Sequence, residues 1–177
     1  MKASSPRLKL RQADVFTIPL SETEVGFGQI VNFPVSQHVF MICVFDHTAS
    51  VTEAFDIEDI CNSAVVFFGS TTDAKLYHGD WILVGNHSAS TSRLEMPYFK
   101  LGTAGGDMRL VDYQGKVLGA INENAFEQLE YKWSCSPIRF ENALKAYRGL
   151  SEWDEAYDKL LYSRTLASVD IFHGLRM

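Results

Sequence analysis

From residue 13 to about 121, apolar positions alternate with polar ones or run unbroken for four to seven residues, and turn-forming residues separate the runs. This pattern predicts β-strands, whose successive side chains point to opposite faces. Asp14-Val15-Phe16-Thr17-Ile18-Pro19-Leu20 puts Phe16, Ile18 and Leu20 on one face and Val15 and Thr17 on the other. Pro19 has no N–H to give a ladder and is expected at a strand end or edge. After a polar turn over Ser21 to Glu24, Val25 to Val31 reads as a second strand with Gly26 and Gly28 on one face. Missing side chains there point to strong bending or close backbone approach, as in a small barrel.

Val39 to Phe45, Ala64 to Phe68 and Trp81 to Val84 are apolar throughout, which predicts strands buried on both faces and a second layer to cover them. Leu94 to Leu101 is a further strand candidate. Met108 to Asp112 and Lys116 to Ile121 read as a hairpin around Tyr113-Gln114-Gly115.

Near residue 122 the period changes to 3.6. Asn124, three residues before Glu127, is the expected cap of a short helix. Ser136-Pro137 starts another, with Phe140, Ala143, Leu144 and Tyr147 on one stripe and Gly149 at its end. Ser151 is the expected cap of a third, with Trp153, Ala156, Tyr157, Leu160 and Leu161 as its apolar stripe. Strands first and helices last predict an α+β fold: a strongly curved antiparallel sheet or SH3-like partly open barrel with a C-terminal helical layer. A single domain over 1–177 is expected, made of a basic flexible arm (1–12), a strand-rich part (13–121) and a helical layer (122–177).

With 46% apolar, 12% aromatic and 21% charged residues in 177, the chain is neither a disordered tail nor a disulfide knot. Charge changes the picture more. The first eleven residues hold Lys2, Arg7, Lys9 and Arg11 and no acid, so the formal −6 hides a body with 12 bases against 22 acids, a net −10. Such a body repels phosphates, which disfavours nucleic acid as a direct ligand, and attracts a basic protein. Cys43, Cys61 and Cys135 are odd in number and in no CxxC spacing, so reduced, buried thiols are expected. Val15 to Leu20, broken by Thr17 and Pro19, is no signal segment, and no run is long enough to span a membrane. A cytoplasmic location is expected.

Motifs for chemistry are absent. His38, His47, His78, His87 and His173 show no metal-ligand spacing, and His78-Gly79-Asp80 reads as a turn. No Ser lies in GxSxG, and the glycine-rich 102–107 stretch lacks the Lys-Ser or Lys-Thr of a phosphate loop. No catalytic residue, metal or cofactor is expected. Two acidic groups stand out. Asp46, Glu53, Asp56, Glu58 and Asp59 put five carboxylates in fourteen residues with no Lys or Arg among them. They are read either as a solvated connector, with Ser50 and Glu53 capping a short helix, or as a docking surface for a basic protein. Glu152, Asp154 and Glu155 are read as first-turn acids that complement a helix dipole, with Glu155 paired to Lys159.

The segment from Asp14 to Leu20, the short turn, and Gly26-Phe27-Gly28-Gln29-Ile30-Val31 together resemble the opening of the immunity protein 26 family, over about residues 13 to 45. Those proteins accompany bacterial polymorphic toxins. Where they often carry Gly before the Asp, this chain has Ala13. The resemblance implies a mostly β, SH3-like domain with no catalytic residues, which binds a cognate toxin domain in the cytoplasm and inhibits it stoichiometrically. A basic nuclease is one such toxin, and Asp46, Glu53, Asp56, Glu58 and Asp59 are the expected docking residues. Two other readings remain open. One is an SH3-like endoribonuclease toxin, against which stand the acidic body and the scatter of Arg93, Arg109 and Arg139 along the chain. The other is a small-molecule or peptide-binding barrel whose pocket is lined by Trp81, Tyr98 and Phe99. The oligomeric state is left open.

Overall fold

Five antiparallel strands build the main sheet of the computed structural model, which describes residues 8–176. The strands are β1 (Asp14–Pro19), β2 (Glu24–Ser36), β3 (Val39–Ser50), β4 (Val65–Thr72) and β5 (Leu83–Asn86), in the order β4-β3-β2-β1-β5. Lys2 and Arg7 of the expected basic arm lie outside the described residues. Register shifts interrupt β2–β3, β3–β4 and β1–β5. Such irregularities bend a strand and increase its twist. No closed barrel forms among the described residues.

The alternation read in the sequence decides which side chains go where. Phe16, Ile18, Phe40, Ile42, Val44 and Phe67 bury on one face, and Val15, Phe27, Met41, Cys43, Phe45 and Phe68 on the other. Pro19 ends β1, as expected. Gly26 and Gly28 both serve close approach. A Cβ on Gly28 would sit 2.6 Å from the Phe16 ring, and one on Gly26 would strike the Leu144 side chain. Trp81 is fully buried and stacks on Phe16 at 4.9 Å between ring centroids. The stretch from Trp81 to Val84 is less buried than its composition predicts: Ile82 is 59% exposed, because β5 lies at the sheet edge.

Each face has its own cover. Helix α5 (Pro137–Tyr147) lays Phe140, Ala143 and Leu144 on the Phe16 face, with Pro137 in its first turn and Gly149 at φ +75° behind its end, as expected. The opposite face is covered partly from within the strand-rich part. Helix α1 (Ile57–Asn62) places Ile60 and Cys61 there, and Tyr162 from α6 (Tyr162–Gly174) stacks obliquely on Phe68. Two four-residue helical turns, α2 (Ala74–Tyr77) and α3 (Ser88–Thr91), flank β5 in the chain.

The strand expected over Leu94 to Leu101 forms only as β6 (Phe99–Gly102), which joins β7 (Met108–Val111) and β8 (Val117–Ala120) in a second, three-strand sheet. The β7–β8 hairpin forms as read. Asp112 Oδ1 accepts from the N–H groups of Gln114 and Lys116, and Gly115 takes φ +92°. Two expected caps are corrected. Helix α4 (Glu123–Gln128) is capped by Asn122, whose Oδ1 accepts from the Ala125 N–H at 2.9 Å, while Asn124 bonds Gln128. Asp154, not Ser151, caps the third segment, which is a 3-10 helix (Glu155–Leu160) rather than one long α-helix. Non-helical backbone at Leu161 (φ −58°, ψ 129°) stops it, and Leu161 makes an antiparallel bridge to Phe67 of the edge strand β4 before α6 begins.

Candidate interaction surface

The first residues of the Asp14 motif do structural work. Asp14 is buried and accepts from the Arg11 N–H at 2.8 Å and from Asn86 Nδ2 at 2.9 Å, which ties the start of β1 to β5. Gln29 is buried completely; its Nε2 donates to the carbonyls of Ala13 and His87, and its Oε1 accepts from Ser90 Oγ at 2.7 Å. A third buried polar residue, Glu141, accepts from Lys145 at 2.8 Å, pairs with Lys75 at 3.4 Å and faces Trp81 Nε1 at 3.4 Å. Sequence reasoning passed over Gln29 and Glu141. The available signal for Glu141 was a charge between Phe140 and Leu144 with Lys145 four residues on.

Neither Ser50 nor Glu53 caps the helix among the five expected docking residues. Asp56 does, accepting from the N–H groups of Glu58 and Asp59, whereas Glu53 closes the turn behind β3 by accepting from the Ser50 N–H at 3.4 Å. Glu53 in that turn and Asp56, Glu58 and Asp59 at the start of α1 are all exposed. Asp46 does not join them. Its side chain leaves the other face of β3, where Arg148 meets it at 2.7 Å and the Tyr147 hydroxyl donates to it at 3.3 Å. Burial and the Asp46 carboxylate together push the Tyr147 phenol above its ordinary pKa.

Asp46 is thereby tied to the end of α5, and the second acidic group follows that end in the chain. Glu152, Asp154 and Glu155 are exposed, and Lys159 pairs with Glu130 at 3.5 Å rather than with Glu155. Between these acids lie three large exposed apolar side chains, Tyr147 (44%), Leu150 (53%) and Trp153 (42%). Tyr147 and Trp153 both rest on the buried Phe67 of β4, with ring centroids 5.9 and 6.3 Å away.

A cavity of about 60 Å³ lies along β4 between the two sheets and α6. Tyr98 and Phe99 line it, with Met41, Phe68, Trp133 and Arg164, but Trp81 does not, being packed inside the core. Arg93 lies in the turn after α3, Arg109 on β7 and Arg139 on α5; Arg93 donates to the Cys61 carbonyl and Arg109 pairs with Asp107. Among the described residues, no group of three His, Cys, Asp or Glu side chains is placed to hold a metal, and no helix is long and apolar enough to cross a membrane.

The family model described as Immunity protein 26 matches residues 11–107, which takes in the whole five-strand sheet and β6. The chain belongs to the immunity protein 26 family. No curated protein and no solved structure matches it significantly. Membership of this family supports an immunity role and, with it, the binding of a toxin; α4, α5 and α6 lie beyond the matched residues.

Proposed function

We propose that this immunity protein neutralises a cognate polymorphic toxin by forming a stoichiometric complex that blocks the toxin's active site or an adjacent exosite, without catalysis of its own. The observation that carries the reading is the family match across the entire main sheet. The body charge of −10 supports a basic toxin domain, such as a nuclease, as the partner, because opposite fields raise association rates. Glu53, Asp56, Glu58 and Asp59 contribute to that field, and Asp46 joins the docking face with its charge shared with Arg148. The protein acts as a single domain in the cytoplasm of the toxin-producing cell. The strand order and the register shifts support an SH3-like, partly open barrel as the description of its sheet.

Co-purification with the product of the neighbouring toxin gene, followed by rescue of cells expressing that toxin, tests the function. Failure of both overturns it, and RNA cleavage by the purified protein would replace it with the endoribonuclease reading. Changing Glu53, Glu58 and Asp59 to Gln, Gln and Asn should slow association with the toxin and flatten its salt dependence. Unchanged kinetics would make these residues a solvated connector only.

A further inference from the structure

We propose that Tyr147, Leu150 and Trp153 form the anchor by which this protein grips its toxin, and that the carboxylates around them receive Arg and Lys side chains of the toxin surface. The inference rests on the immunity reading and adds to it a contact surface on α5 and the segment behind it.

Three observations converge on this patch. First, its apolar side chains are exposed yet held in place. Tyr147 and Trp153 lie on Phe67, the Tyr147 hydroxyl donates to Asp46, and Trp153 Nε1 donates to Asp158 at 3.0 Å. Rings fixed in this way lose little freedom on binding, and Trp and Tyr are the residue types that most often dominate interface energetics. Leu150, in the turn behind α5, is 53% exposed and so has apolar surface left to bury against a partner.

Second, the surrounding charge is one-sided. All three bases between Lys145 and Lys159 are engaged within the chain: Lys145 by Glu141, Arg148 by Asp46 and Lys159 by Glu130. Glu152 and Glu155 are exposed with no ion pair among the described residues. An apolar centre with an acidic rim fits a basic protein, whose guanidinium groups can stack on Trp153 or Tyr147 while pairing with the rim. The same rim repels a phosphate backbone.

Third, the patch belongs to the part of the chain beyond the family match, apart from Asp46 and the supporting Phe67. The shared sheet therefore serves as a platform, and the added layer presents the surface that distinguishes one toxin from another.

The test uses the full-length protein and the purified toxin domain encoded beside it, with affinity read by titration and protection by toxicity rescue. Leu150→Arg and the pair Glu152→Lys with Glu155→Lys alter only exposed side chains, and thermal melts confirm that they fold. Each should weaken binding at least tenfold and reduce rescue, and Trp153→Ala should do the same. Wild-type binding with unchanged affinity in Leu150→Arg and in the double Lys variant overturns the anchor while leaving the immunity reading intact. A wild-type chain that neither binds the toxin nor protects against it overturns both.

Discussion

Ala13 takes φ +70°, a conformation that costs a residue with a Cβ about 1–2 kcal/mol and glycine almost nothing. It is locked there because its N–H donates to the Ile30 carbonyl at 2.8 Å and its own carbonyl receives Gln29 Nε2 at 3.0 Å. Glycine, which has no Cβ to clash, suits this position better than alanine. Ala13→Gly should raise stability by roughly 0.5–1 kcal/mol after the extra unfolded-state entropy of glycine is subtracted. A urea midpoint that stays put or falls would show that the left-handed turn carries no strain. The side-chain alternation around this residue was legible in the sequence. The strained φ was not, because it follows from hydrogen bonds to residues on β2.

At the scale of elements, the acidic connector is a capped helix, and Asp56 has two separable properties. As N-cap it satisfies two backbone N–H groups of α1, and as a carboxylate it adds negative charge. Asp56→Asn keeps an equally good cap and removes the charge, whereas Asp56→Ala removes both. Asp56→Ala should cost about 1 kcal/mol of stability and Asp56→Asn only a few tenths, as read from thermal melts. Equal losses would mean that the cap contributes nothing. The C-terminal helices show where periodicity stops being informative. Helix α5 was legible because Phe140, Ala143 and Leu144 share a stripe. Helix α6 was not, because two of its four buried residues are Thr165 and Ser168. Trp153 and Tyr157 fall at a helical spacing, but the backbone carries them on a 3-10 segment and the turn before it.

At the scale of the molecule, Cys43 and Cys61 are buried as expected whereas Cys135 is only half-buried, and desolvation makes all three thiols poor acids. Desolvation pushes Cys135 up to about 11 from an ordinary 9, and it raises Cys43 and Cys61 as well. A pKa raised in the folded chain means that the unfolded chain loses these protons first. Stability present below about pH 9 is therefore lost as the pH rises through about 11. Melting temperatures should fall across that window, and a Cys135→Ser variant should show a smaller fall. At pH 8 the folded protein should resist iodoacetamide, while the urea-unfolded chain reacts at Cys43, Cys61 and Cys135. Rapid labelling of the native protein would contradict the burial.

The sequence by itself determined most of the main-sheet strands and which side chains share a face, the β7–β8 hairpin, the helix over 137–147 and the acidic character of the body. These depend on local periodicity, turn chemistry and charge, all of which act over a few residues. Only the tertiary structure decided that Asp46 parts from Glu53, Asp56, Glu58 and Asp59. Successive side chains of β3 leave opposite faces, and α5 supplies Arg148 on one face only. Tertiary packing likewise brings Tyr147 and Trp153 together on Phe67. Their neighbourhood depends on a partner strand about eighty residues earlier in the chain, a distance over which no local pattern carries information.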